Sequence, residues 1–253
     1  MDKMIVNKKN LKDFKLCGYE GSESVTLRND EYLLKFINPE HLLQDREKII
    51  NALHDFDHPN IVVPEFSLIE KGSFVGYGMK YQKGYKSIGS LITNNIAKIE
   101  EFQKRKEAML KLCEIFEYFD SQKFAYYDLY DDNILYKDGD IKLIDLDGGI
   151  LDPYINSDLD YNAAIRKSKK QLSIYTLSFL FNLDFMNFHL LMNQLDNKTK
   201  EKLYKLWGED ITAYYKYALN YSYSVYYGTM DAINQMTEEM YNDSVDIIKK
   251  RLI

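Results

Sequence analysis

Tyr126-Tyr127-Asp128-Leu129-Tyr130-Asp131-Asp132-Asn133-Ile134-Leu135 runs through Tyr136-Lys137-Asp138-Gly139-Asp140 into Ile141-Lys142-Leu143-Ile144-Asp145-Leu146-Asp147-Gly148. Two short apolar runs, Ile134-Leu135-Tyr136 and Ile141-Lys142-Leu143-Ile144, flank the turn Lys137-Asp138-Gly139-Asp140. Asp-Gly tolerates the positive φ angles of a tight hairpin turn, so the segment reads as a β-hairpin. Such a hairpin places Asn133, just before its first strand, beside Asp145, just after its second. With Asp128 upstream, three oxygen-bearing side chains can gather around one triphosphate. Phosphoryl transfer needs that set: an acceptor-orienting carboxylate and hard oxygen ligands for magnesium, held in fixed positions. The plainer alternative is a surface hairpin with acidic flanks; the agreement of strand, turn and three polar positions favours a site.

Composition narrows the classes. The chain has 253 residues and a net charge of −6, with 45% hydrophobic residues, enough for one large domain or two small units. An isoelectric point near 5.4 argues against a general nucleic-acid surface, which carries a basic footprint. Cys17 and Cys113 offer no disulfide framework and fit a reducing compartment. No secretory leader or membrane-length apolar run is visible, so we expect a cytoplasmic protein with no membrane or nucleic-acid partner. The first eighty residues read mostly as strands with one helix, and helical periodicity dominates from Ile88 onward.

The segment at 126–148 resembles the catalytic and metal-binding loops of the protein-kinase-like superfamily, His-Arg-Asp-Leu-x-x-x-x-Asn and Asp-Phe-Gly. The resemblance extends over residues 15 to 182. It implies an α+β, bilobal fold: a small antiparallel-sheet N-lobe with one helix (1–79), a hinge (80–84) and a larger, mainly helical C-lobe (85–253). It also implies ATP and Mg2+ as cofactors. Asp128 would orient and deprotonate the acceptor hydroxyl, and Asn133 and Asp145 would hold the metal. Lys35, in the strand Asp30-Glu31-Tyr32-Leu33-Leu34-Lys35-Phe36, would contact the phosphates, as a compact ammonium can. Glu47, at the edge of a helix predicted over 41–56 with the stripe Leu42, Leu43, Ile49, Ile50 and Leu53, is the expected ion-pair partner of Lys35, Asp45 being the alternative. Gly18-Tyr19-Glu20-Gly21-Ser22-Glu23-Ser24-Val25 resembles a degraded glycine-rich loop, with Gly18, Gly21 and Val25 as nucleotide contacts. Met79 falls at the gatekeeper position, the backbone of Lys80, Tyr81 and Gln82 would bond adenine, and Val25 and Leu135 would form its roof and floor. His58-Pro59-Asn60-Ile61-Val62 resembles the family's link from helix to next strand.

The departures are as informative. Leu33 stands in a slot that is usually alanine, and Tyr126-Tyr127 replaces His-Arg. Tyr130 replaces an accessory lysine, Leu146-Asp147 replaces Phe-Gly, and no Ala-Pro-Glu follows. Ser173 begins the helix that usually opens with aspartate, and Arg166-Lys167-Ser168-Lys169-Lys170 precedes it as a solvated or substrate-attracting run. His54 and His58 share helical spacing, but Pro59 ends that helix and no further ligands accompany them. A tyrosine-rich run, Tyr221 to Tyr227, suits packing or docking. The leading expectation is a protein kinase acting on hydroxyl side chains. The alternatives are a small-molecule kinase of the aminoglycoside or choline type, and a nucleotide-binding pseudokinase scaffold.

Overall fold

The computed structural model describes residues 1–17, 23–42, 45–93, 101–151, 158–182, 185–219 and 229–252. The fold is α+β. Six strands form one sheet in the order β1-β5-β6-β4-β3-β2, comprising β1 (Asp2–Ile5), β2 (Lys15–Leu16), β3 (Ser24–Arg28), β4 (Tyr32–Ile37), β5 (Pro64–Glu70) and β6 (Ser73–Lys80). The expected sheet was antiparallel; it is mixed, because β1 runs parallel to β5 at the edge. A single helical turn, α1 (Lys8–Leu11), follows β1 and is capped by the Asn7 side chain accepting the Asn10 N–H at 2.9 Å.

Alternation along β4 divides its residues between two faces. Leu33, Lys35 and Ile37 share a face with Tyr77 and Met79 of β6, because Lys35 lies opposite Tyr77 and Leu33 opposite Met79. The predicted 41–56 helix is shorter than its pattern. Pro39–His41 form a 3₁₀ turn, and α2 spans Arg46–Leu53 with Ile50 and Leu53 buried; Leu43 lies outside the described residues. Ile50, Ile37, Val62, Tyr77 and Met79 make a small core between α2 and the sheet.

Beyond β6, two residues of β7 (Lys86–Ser87) lead into α3 (Ile88–Thr93) and α4 (Phe102–Ser121). On α4, Met109, Leu112, Cys113, Phe116 and Phe119 recur at helical spacing and are all buried. They pack with Phe124, Tyr126, Ile134 and Ile141 of the segment that follows. Each such side chain contributes on the order of 1.5–3 kcal/mol by leaving water. The helices α5 (Asp158–Leu180), α6 (Phe185–Gln194), α7 (Asn197–Leu219), α8 (Thr229–Gln235) and α9 (Glu238–Leu252) complete the same core. The Tyr221–Tyr227 run lies outside the described residues. Among those described, no helix is long and apolar enough to cross a membrane.

The predicted hairpin forms. Strand β9 (Ile134–Lys137) pairs antiparallel with β10 (Asp140–Leu143), Lys137 lying opposite Asp140. Asp138 and Gly139 take φ values of 49° and 81°, the two positive angles a two-residue turn of this kind needs. His58–Val62 docks on β10 from the sheet side: Leu143 N–H donates to Asn60 O at 2.8 Å, and Val62 N–H to Leu143 O at 2.9 Å. The Asn60 amide adds bonds to Ile141 O (2.7 Å) and Asp140 Oδ1 (3.0 Å).

Candidate functional site

Residues 126–149 are tied at their base by β8 (Phe124–Ala125) pairing with β11 (Ile150–Leu151). Buried Leu129 and Leu146 anchor the two loops that flank the hairpin. Asp131–Asn133 form a 3₁₀ turn, and the Asn133 amide donates to Asp128 O at 2.9 Å and to the Tyr126 hydroxyl at 3.1 Å. Those donations leave Asn133 Oδ1 as the acceptor end of the side chain. Ile144 N–H donates to Asn133 O at 3.0 Å, so Asp145 emerges directly beside Asn133. Asp145 takes a left-handed backbone (φ 62°, ψ 50°) where the chain leaves β10 for a second 3₁₀ turn, Leu146–Gly148. Aspartate tolerates that region better than most residues. A Cβ on Gly148 would sit 3.5 Å from Asp128 Oδ2, which marks how closely the two loops approach. Asp128, Asn133 and Asp145 are thus brought together as expected.

The sheet delivers a cation to this group. Lys35 is buried, and its ammonium donates to Asp145 Oδ1 and, at 2.9 Å, to Asp147 Oδ1. Gly76 permits this register: at φ 155° it lets β6 approach so closely that a Cβ there would lie 2.0 Å from Lys35 O. Asp147 is the most enclosed charge of the group. Its Oδ1 also accepts the Tyr77 hydroxyl at 3.2 Å, and its Oδ2 accepts Arg46 Nε at 3.0 Å and Nη2 at 2.7 Å. Arg46 further donates to His41 O at 3.1 Å and Glu23 Oε2 at 3.3 Å.

Three expectations need correction or qualification. Glu47 is exposed, and among the described residues it forms no ion pair with Lys35; the helix turns Arg46 inward instead. The acids that meet Lys35 come from the loop that follows β10. Val25 lies opposite Phe36, so it projects from the face away from Lys35; Thr26 is the residue across from Lys35. The roof assigned to Val25 therefore falls to the wrong side of the sheet. In the connector, Tyr81 N–H donates to Glu31 O at 2.7 Å and Tyr81 O accepts Lys83 N–H at 3.1 Å. The Tyr81 main chain is satisfied internally, while Gln82 N–H has no partner among the described residues. Lys80 O accepts the Gln82 side-chain amide at 3.1 Å.

The remaining residues fall into place around these. Met79 is buried beside half-buried Leu33. Leu135 is half-buried and alternates with the core residues Ile134 and Tyr136, so it faces away from that core. Gly18 and Gly21 lie outside the described residues. His54 Nδ1 meets Pro64 O at 2.7 Å, and His58 Nδ1 meets the Asn60 N–H at 3.2 Å.

Burial raises the Asp145 carboxyl above its ordinary value, with Lys35 opposing the rise and Asp147 adding to it. Asp147 meets the same burial penalty, yet Lys35 and Arg46 hold it below the ordinary carboxylate range. Burial also raises Asp128, helped by Glu23 and opposed by Lys167. Lys167, from α5, stands 4.6 Å from the Tyr127 ring centroid, so a cation does approach the loop whose own lysine position holds Tyr130.

The arrangement can bind an anion beside Lys35 and present a carboxylate at Asp128. It can also offer Asn133 and Asp145 as hard oxygen donors. Among the described residues, no cluster of three or more His, Cys, Asp or Glu side chains is arranged to hold a metal by itself. Magnesium is commonly held by one or two protein oxygens plus phosphate oxygens, which this donor set fits. A cavity of about 270 Å3 between α4, α5 and α8 shares no residue with the site. Arg46 and Tyr77 join this cluster without having been expected there. Tyr77 had a signal in its strand register with Lys35, whereas Arg46 had none. Comparison with protein-family models and with curated proteins finds no match.

Proposed function

We propose that this chain is an ATP- and magnesium-dependent phosphotransferase with a bilobal, protein-kinase-like arrangement. The observation that carries the reading is the meeting of buried Lys35 with Asp145 at the hairpin end that also holds Asn133 and Asp128. In this reading Lys35 positions the phosphates and Asn133 with Asp145 holds the ion. Magnesium, when bound by these two residues, would supply charge neutralisation to the phosphates. Asp128 orients the acceptor hydroxyl and takes its proton as the oxygen attacks the γ-phosphorus. The bond from that phosphorus to the β–γ bridging oxygen breaks, and ADP departs. Alignment and charge neutralisation provide most of the acceleration.

A hydroxyl on a protein is the first acceptor class to test. A small-molecule hydroxyl is the second reading, and one observation favours it. β11 ends at Leu151 and α5 begins at Asp158, which leaves little chain for a peptide-binding platform. The deciding experiment is phosphate transfer from γ-labelled ATP in magnesium to panels of proteins and small alcohols. We expect magnesium-dependent transfer that Asp128→Asn lowers by about 10²–10⁴-fold, the usual cost of losing a positioned acid or base. Undiminished transfer by Asp128→Asn removes the role of Asp128. Binding of ATP without transfer to any acceptor supports a nucleotide-binding scaffold instead.

A further inference from the structure

We infer that Asp147 and Arg46 form the pair that positions Lys35 for phosphate, in place of an acid on α2; this rests on the phosphotransferase reading. Asp147 has four donors on its two oxygens: Lys35 Nζ at 2.9 Å, Tyr77 Oη at 3.2 Å, and Arg46 Nε and Nη2 at 3.0 and 2.7 Å. Its side chain is 1% exposed, against 34% for Asp145. Saturated and enclosed in this way, Asp147 has no lone pair directed at an incoming ion, although it lies only two residues beyond Asp145. It is a positioning residue, and Asp145 is the carboxylate left for metal.

Arg46 makes that division possible. A lone buried aspartate would compete with phosphate for Lys35. The guanidinium converges Nε and Nη2 on the single oxygen Asp147 Oδ2, two charge-assisted hydrogen bonds from one planar cation. Asp147 Oδ1 then orients Lys35 while Arg46 balances its charge. Because Tyr77 stands across from Lys35 in the sheet and donates to the same Oδ1, the carboxylate that orients the ammonium is itself held from the sheet side. The sign of the α2 contribution is thereby reversed: the helix offers a cation to the loop, and the loop offers the acid to the lysine.

Four variants of the full chain test the assignment: Asp147→Asn, Arg46→Gln, Arg46→Lys and Glu47→Gln. Equilibrium binding of Mg·ATP through a fluorescent ATP analogue is measured beside kcat and the KM values for ATP and acceptor. Asp147→Asn and Arg46→Gln are expected to weaken ATP affinity by about 10–100-fold, the range for groups that orient a ligand-holding residue from behind. The acceptor KM should stay unchanged. Arg46→Lys retains the charge without the paired geometry; it should recover part of the affinity and serves as the test should Asp147→Asn fail to fold. Glu47→Gln should stay within about twofold of the parent, as an exposed residue away from special features does. Loss of ATP affinity in Glu47→Gln with none in the Arg46 variants overturns the inference and leaves the phosphotransferase reading standing. Failure of the parent chain to bind Mg·ATP overturns that reading, and this inference with it.

Discussion

The hairpin side of the site and the α2 side converge on the same aspartates, yet the chain specifies them differently. Around the hairpin, each instruction is local. Asp138-Gly139 sets the turn, alternation sets the faces, and the Ile144–Asn133 hydrogen bond follows from the pairing. A hairpin that slipped by one residue would turn its buried side chains to solvent, so its register is strongly defended. On the other side, an eight-residue helix presents one of its residues to Asp147. Neighbouring residues on a helix differ by about 100° of rotation. One step therefore exchanges Glu47 for Arg46 and reverses the charge that reaches the site. The lesson is that short-range pairing fixes where the acids stand, whereas tertiary packing decides which counter-charge meets them.

The comparison can be broken at either end. The largest stability effect should come from Asp147→Ala, which strips Arg46 of its buried counter-charge and Lys35 of one of its two carboxylates. Removing one partner of such a network costs about 3–5 kcal/mol, measurable by chemical denaturation. A loss below 1 kcal/mol would mean that the two sides are not held together by this charge cluster. Next comes Gly139→Ala within the hairpin, where φ is 81°. A side chain in that region costs about 1–2 kcal/mol, and a greater loss than that of Asp147→Ala would reverse the ranking of the two regions. The smallest effect is an acid limb centred on Asp140 of the hairpin. Burial works against the charge of Asp140, but hydrogen bonds from Lys111 and Tyr85 outweigh it and hold the pKa at about 2 instead of 3.8. A depressed carboxylate stabilises the folded chain above its unfolded pKa. That contribution should fade as pH falls from about 4 toward 2. In Asp140→Asn the stability should vary less steeply across the same window, and an unchanged slope would exclude Asp140 as its source.

Much of the site was legible because its signals are short in sequence. Asp128, Asn133 and Asp145 are bound by one turn and one ladder, and Lys35 stands out as a charge on an apolar strand. Strand β1 lies within the strand-rich first eighty residues, but a strand's own sequence does not set its pairing direction, so the mixed character of the sheet was not legible. Val25 was placed by counting from a loop motif, and counting carries no information about which face a strand residue occupies. The pairing of Val25 with Phe36 supplies it. Arg46 was hidden for the reason given above: the sequence contains the helix but not its rotation. Asp147 was visible as a departure from Phe-Gly, but its meaning required the four donors around it.

The docking of Asn60 and Val62 on Leu143 has a mechanical consequence. Two main-chain hydrogen bonds weld the strand that carries Asp145 to the chain leading into β5, two residues short of the aspartate itself. Any rocking of the six-stranded sheet against the helices must carry that strand along or tear those bonds. The weld acts as a fulcrum close to the load. A swing at the far edge of the sheet would translate into a smaller displacement between Lys35 and Asp145.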